Sequence, residues 1–370
     1  NSNYIRSFLT LLLFLSLFPL LNPKNQENSY KTEILNYNVK DSCKQYGIWD
    51  GYDDLIANPD KFSDIMNVGL VVNHTSSIIN INDIDKVIEV SLGETPIYVK
   101  KIFTPEHGLN NKYQAGEKIL GDMSYNIPII SLYGKNFKPD ISELEGLDAL
   151  IFDIQDIGSR YYTYVSTLTN IMSSCSEIDL PLYILDRPNP IGGEIVDGPI
   201  LDLNYSSFVG MHPIPIRHGM TIGELCYMIN EEGWLSNKIE NLKIIKMRNF
   251  KEISDFNNWF PPSPNIPNLK TAFLYNGTCL FEGTNLSEGR GTQAPFQYIG
   301  APWVNSKELV NYVNNSDIKK YYSKIKIKEI EFTPKSNEGA KNPKYENQIC
   351  YGVSIDIDQS LEPIEFSLYL

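Results

Sequence analysis

The chain is poor in the residues and spacings that carry metal, redox and nucleotide chemistry. Its five cysteines, Cys43, Cys175, Cys226, Cys279 and Cys350, are scattered with no C-x-x-C pair. An odd, dispersed set makes neither a disulfide framework nor a zinc site, so the cysteines are expected as buried small hydrophobes. The four histidines lie in loops without H-E-x-x-H or H-x-H spacing, and no metal is expected. No G-x-G-x-x-G follows any strand-like run and no G-x-S-x-G elbow is present, which argues against a dinucleotide cofactor and a serine hydrolase. No cofactor of any kind is expected. Basic residues are also in deficit: 32 Lys and Arg against 45 Asp and Glu give a net charge of −13 with no basic run. That argues against nucleic acid as a partner, and none is expected; an anionic ligand would need a local arginine pocket.

What the chain does have is apolar material for two domains: 370 residues, 42% of them hydrophobic. Residues 1–21 carry one early Arg6 and an apolar run from Phe8 to Leu21 interrupted by Pro19. That is the pattern of a signal-peptide core or an N-terminal anchor, and export to the periplasm or a membrane anchorage is expected. Residues 22–46 are polar and read as a linker.

Four apolar runs in the first half end in polar clusters: GLVV-NHTS (69–76), YVKKIF-TPEHG (98–108), LDALIF-DIQDIGSRYYT (147–163) and PLYIL-DRPNP (181–190). Short, β-branched-rich runs of this kind suit strands buried on both faces of a parallel sheet. The alternation predicts strands at 68–73, 98–103, 127–132, 147–154 and 181–186, with helices at 81–93, 140–146 and 162–176. The fold class expected for 47–205 is α/β, a Rossmann-like parallel sheet domain. Residues 206–370 are expected as a smaller α+β domain, with the active-site cleft between the two. Thr221 and Glu224 stand in capping-box spacing and predict a helix start. Strands are predicted at 242–247, 271–275, 325–332 and 349–357. The chain stops at EPIEFSLYL, in what reads as the first turns of a helix, as expected of a C-terminally truncated fragment.

Ligands of open parallel sheets bind beyond the carboxyl ends of the strands. That rim holds His74, Glu106, His107, Asp153, Gln155, Asp156, Arg160, Tyr161, Tyr162, Asp186 and Arg187. Glu106, set between Pro105 and the pair His107–Gly108, is the candidate general acid or base. The run from Asp153 to Tyr162 combines carboxylates and an amide for hydroxyl groups, aromatic faces for a sugar ring, and an arginine for an anion. The other readings of these residues are structural: Asp156 as a helix cap and Arg160 as the counter-charge of Asp153. In the second half, LFEGTNLSEGRGTQAPFQYIGAPW (280–303) brings Glu282, Asn285, Glu288 and Arg290 into a glycine-rich loop suited to a ligand wall.

Taken in order, VNHTS, TPEHGL with AGE (115–117), DIQDIGSRYYTY, DRPNPIGG, HGMTIGEL, PPSPNIP and FEGTNLSEGRGT…PFQYIGAPW resemble the bacterial exo-β-N-acetylmuramidases. These form glycoside hydrolase family 171, formerly domain-of-unknown-function family 1343. The resemblance spans about residues 47 to 366. It implies release of N-acetylmuramic acid from the non-reducing ends of peptidoglycan fragments, with a small muropeptide-derived saccharide as the partner. It also implies that Glu106 is the leading catalytic candidate, with a second carboxylate mapping to Glu282 or Glu288. The lactyl carboxylate of that sugar calls for a local cation, with Arg160, Arg290 and Arg187 as candidates. The alternative class is a non-catalytic periplasmic sugar-binding protein.

Overall fold

The computed structural model describes residues 51–57, 65–78, 89–92, 95–109, 127–247, 260–316, 325–337, 339–357 and 363–370. Its main element is a sheet of seven strands. These are β1 (Asn67–Val72), β2 (Glu89–Leu92), β3 (Thr95–Thr104), β4 (Ile129–Ser131), β5 (Ala149–Asp153), β6 (Leu182–Leu185) and β7 (Leu242–Ile245). The order is β2-β3-β1-β5-β6-β7, with β4 also on β3. Six strands run parallel, and only β2 is antiparallel to its neighbour. β3 is long enough to hold β2 along its first half, from Thr95 to Tyr98, and β4 along its second, from Ile102 to Thr104.

The buried runs split by alternation onto two faces. Val71, Phe103, Leu150, Phe152, Leu182 and Ile184 enter one core, and Leu70, Val72, Ile102, Ile151, Tyr183 and Leu185 the other. The first core is covered by α3 (Tyr164–Ile178), through Val165, Leu168, Ile171, Met172 and Cys175, and by α4 (Ile222–Glu231), through Leu225, Cys226 and Ile229. The second receives Leu55 from α1 (Gly51–Ala57). A short α2 (Ile141–Leu144) with a capping box from Asp140 and Glu143 leads into β5. α4 begins where its capping box predicts: Thr221 accepts from Glu224 N–H, and the Glu224 carboxylate accepts from Thr221 N–H.

Two expectations are corrected. Residues 271–275 are not a strand; they lie within α5 (Leu269–Thr278), whose N-cap Asn268 accepts from Thr271 N–H at 2.9 Å. α5 is buried from Thr271 to Thr278, so no polar face reveals its period. The expected helix over 81–93 is extended at Glu89–Leu92, which pairs with Thr95–Tyr98; its residues 81–88 lie outside the described residues. The sheet also continues past the expected division after residue 205, since β7 pairs with β6.

A second, antiparallel sheet has the order β8-β10-β9, from Tyr298–Ala301, Cys350–Asp356 and Lys326–Phe332. Leu274, Phe281, Val313, Val353, Ile355 and Phe366 fill the core between it, α5, α6 (Ser306–Asn315) and α7 (Pro363–Tyr369). α5 and α7 approach so closely that a Cβ on Gly277 would lie 2.0 Å from the Pro363 carbonyl oxygen, which explains glycine there. Cys175, Cys226 and Cys350 are buried and Cys279 half-buried, all as free thiols; Cys43 lies outside the described residues. No described helix is long and apolar enough to cross a membrane, and the apolar run at 8–21 is outside the described residues.

Candidate active site

β3 ends at Thr104 in a turn closed by Gly108 N–H on the Pro105 carbonyl, at 3.0 Å. His107 and Gly108 both take positive φ, 71° and 69°. Such backbone is costly outside glycine and is held only where the surroundings determine it. The turn buries Glu106, whose Oε2 accepts from Thr163 Oγ1 at 2.7 Å. Thr163 is the N-cap residue of α3, yet its hydroxyl makes no cap bond; it serves the carboxylate instead.

β1, one strand away, ends at Val72 and is followed by Asn73. The buried amide accepts from Thr75 N–H and Thr75 Oγ1, at 2.9 and 2.6 Å, and donates to the Tyr164 hydroxyl at 3.0 Å. Tyr164 in turn donates to the Pro262 carbonyl at 2.9 Å. His74 Nε2 lies 2.6 Å from the Pro261 carbonyl oxygen, so that nitrogen carries the proton. Burial lowers the pKa of His74, the Pro261 contact opposes this, and nearby His107 lowers it further. The proline-rich segment thus closes over the rim through two carbonyls.

Beyond β5 and β6 the carboxylates divide by use. Asp153 accepts from Ser77 and Ile78 N–H through Oδ2, at 2.7 and 2.9 Å, and pairs through Oδ1 with Arg187 at 2.6 Å. Asp186 accepts from Thr221 Oγ1 and Gly223 N–H, at 3.0 and 2.8 Å, anchoring the start of α4. Burial pushes its carboxyl up to about 7, against the opposing pull of these hydrogen bonds. Gln155 donates to the Asp156 and Pro188 carbonyls. Arg160 donates to the Pro199 and Ile214 carbonyls and lies 5.5 Å from the Tyr161 ring. Burial raises the Tyr161 phenol to about 12 and pushes the Tyr162 phenol well above its ordinary value.

Asp156 differs from the other rim carboxylates. Its Oδ2 accepts from Gly158 N–H at 2.7 Å and lies 3.4 Å from His218 Nε2, while its Oδ1 is buried with no hydrogen-bond partner. The Tyr164 phenol is pushed up by burial, and both Glu106 and Asp156 add to that rise.

The glycine-rich loop of the second half forms its own charged cluster. Glu282 pairs with Arg290 at 2.6 Å, and Glu288 lies buried 3.9 Å from Arg290 and 3.4 Å from Lys344. Lys344 Nζ donates to the carbonyls of Phe281, Glu282, Thr284 and Leu286, at 2.9 to 3.0 Å. The Asn285 carbonyl accepts from Tyr345. A chain of rings links this cluster to the rim: Tyr164 to Tyr162 at 4.7 Å, Tyr162 to Tyr275 at 6.3 Å, Tyr275 to Phe296 at 4.8 Å, and Phe296 to the Arg290 guanidinium at 5.3 Å.

The structure therefore gathers Glu106, Asp156, His74 and His107 with three residues the motif reading passed over, Asn73, Thr163 and Tyr164. All three stand inside the quoted strings, but nothing in their spacing shows which hydroxyl reaches which carboxylate. Asp153, Arg187, Asp186, Gln155 and Arg160 are engaged with loops and helix ends.

Two family models match the chain: "Exo-beta-N-acetylmuramidase NamZ, N-terminal" over residues 68–270 and "Exo-beta-N-acetylmuramidase NamZ, C-terminal" over residues 273–370. A protein of Bacillus subtilis (strain 168) named peptidoglycan beta-N-acetylmuramidase NamZ is 36% identical over 320 residues, covering 85% of this chain and 73% of that one. Two solved DUF1343 family proteins from Bacteroides fragilis NCTC 9343 share the fold. One has a TM-score of 0.72 at 31% identity, over 86% of this chain and 80% of its own. The other has a TM-score of 0.64 at 36% identity, over 84% and 76%.

Proposed function

The chain belongs to the exo-β-N-acetylmuramidase NamZ family, and on that premise we propose that it releases N-acetylmuramic acid from the non-reducing ends of peptidoglycan-derived saccharides, with Glu106 as general acid. It is a glycosidase, as its curated relative is. The observation that carries the role of Glu106 is its presentation: a buried carboxylate at the carboxyl end of β3, fixed by the Thr163 hydroxyl at 2.7 Å. A proton donor held in one place is what departure of a glycosidic oxygen requires.

The lactyl carboxylate of the substrate needs a cation, and the three candidate arginines differ in openness. Arg290 keeps 24% of its side chain exposed against 8% for Arg187, while Arg160 is turned onto backbone carbonyls. Arg290 is the residue we assign to the substrate anion. Export is proposed on the apolar run behind Arg6; cell fractionation that finds the protein only in the cytoplasm would refute it.

The test is turnover of a chromogenic β-N-acetylmuramide beside the matching β-N-acetylglucosaminide, for the wild type and Glu106→Gln. The expected result is preference for the muramide and a loss of about 10²–10⁴-fold in the variant. Binding of either sugar without turnover would favour a receptor, and full activity of Glu106→Gln would remove the proposed acid.

A further inference from the structure

We infer that Asp156, held in place by His218, is the second carboxylate of the reaction and the base that takes a proton from the attacking water. This rests on the reading of Glu106 as the acid.

The sheet order β3-β1-β5 sets Glu106, Asn73 and Asp156 just beyond the ends of three consecutive strands, on one edge. Tyr164, bonded to the middle member Asn73, feels both carboxylates. Neighbouring strands lie about 4.8 Å apart, so the ends of β3 and β5, from which the two segments leave, are on the order of 10 Å apart.

The competing carboxylates are engaged. Asp153 is paired with Arg187, Asp186 anchors α4, and Glu282 is paired with Arg290. Glu288 faces two cations, Arg290 at 3.9 Å and Lys344 at 3.4 Å, although its Oε2, like Asp156 Oδ1, has no hydrogen-bond partner. Asp156 is anchored on one oxygen only. Its Oδ2 accepts from Gly158 N–H, and its Oδ1, although buried, has no donor. A buried acceptor without a protein donor is free to accept from a water. His218 packs beside it: its Nδ1 accepts from Met220 N–H at 3.2 Å, and its Nε2 lies 3.4 Å from Asp156 Oδ2 without hydrogen-bond geometry. Both side chains are more than nine-tenths buried.

In the step, the water oxygen bonds to the anomeric carbon as one of its protons passes to Asp156. The bond from that carbon to the leaving oxygen breaks, its electron pair remains on the oxygen, and Glu106 supplies the proton. Asp156 ends protonated and Glu106 ionised, and exchange with solvent restores both. A single displacement of this kind inverts the anomeric centre, so a β-muramide yields the α sugar first.

Proton NMR of freshly released sugar from the wild-type enzyme tests this without any variant: the α anomer is expected first, and the β anomer first would overturn the inference. Asp156→Asn should lower kcat by about 10²–10⁴-fold with KM changed only a few-fold, in protein whose circular dichroism matches the wild type. His218, a positioning residue, should cost roughly 10–100-fold in kcat as His218→Ala, the scale of a small misplacement of a reacting group. His218→Gln, which fills much of the same space, should recover most of it. If the wild type turns over no muramide, the functional reading itself falls. If the wild type is active and Glu106→Gln is dead while Asp156→Asn works normally, this inference alone falls.

Discussion

Thr163 donates its hydroxyl to Glu106 Oε2 at 2.7 Å while leaving its own helix without a side-chain cap. An N-cap bond contributes about 1 kcal/mol, so α3 forgoes that stabilisation to fix a carboxylate. Thr163→Val keeps the shape and removes the donor. Because a buried carboxylate loses one donor, stability should fall by about 1–3 kcal/mol. Because a hydrogen bond to a charged group is worth about 1.5–3 kcal/mol, kcat should fall by roughly tenfold or more. Steady-state kinetics beside a urea melt separates the two effects; a large loss of stability with unchanged kcat would refute the assignment.

Asp153 and Arg187 form a buried ion pair at 2.6 Å that also ties down Ser77 and Ile78 after β1. Removing one member leaves the other's charge uncompensated. Asp153→Asn should therefore cost about 3–5 kcal/mol in chemical denaturation. A cost below about 1 kcal/mol would mean that the pair adds little beyond an apolar contact of the same shape.

The rim was legible because its strands are buried on both faces. Val68–Val72, Ala149–Phe152 and Leu182–Leu185 have no polar alternation, as parallel strands sandwiched by helices do not. The same burial hid α5, since a helix enclosed from Thr271 to Thr278 offers no polar stripe to distinguish it from a strand. At the site, residue types were legible and partners were not. Asp153, Asp156 and Asp186 look alike as strand-end aspartates. Their different roles depend on Arg187, His218 and Gly223, brought together only by strand order. Thr163 was within a quoted string, but its partner Glu106 lies 57 residues away.

Two buried groups act on stability in opposite directions with pH. Asp186 has its carboxyl raised from about 3.8 to about 7 by burial, so its contribution is present at low pH and is lost as pH rises through 7. His212, stacked on Trp234 and bonded to Thr169, is lowered by burial from 6.5 to about 4. Its contribution is present above 6.5 and is lost as pH falls through 4. Between these limits the two slopes oppose each other. Urea melts from pH 4.5 to 7.5 should show Asp186→Asn gaining stability with rising pH relative to wild type, and His212→Gln losing it. Parallel profiles for all three proteins would refute the assignment of either group.

The last prediction concerns Lys344. An ammonium has three protons, yet Nζ lies within 3.0 Å of four carbonyls, from Phe281, Glu282, Thr284 and Leu286, and 3.4 Å from Glu288. Those carbonyls all belong to the loop that carries Glu282 and Glu288, so one cation gathers a turn that has no sheet ladder before Ser287 meets Gly300. Lys344→Met keeps the aliphatic stem and removes every donor at once. The four carbonyls would then face one another without a shared cation, and Glu288 would keep only Arg290, at 3.9 Å. The expected loss is at least about 3 kcal/mol, since hydrogen bonds to a charged group are worth about 1.5–3 kcal/mol each. Amides from Thr284 to Glu288 should exchange with solvent markedly faster, while those of β5 and α3 keep wild-type protection. KM for the muramide should rise more than kcat falls, because Arg290 is the proposed contact to the lactyl carboxylate and its loop would no longer be held. Unchanged exchange in Thr284–Glu288 would show that the loop is held by its own turns, and that Lys344 only sits upon it.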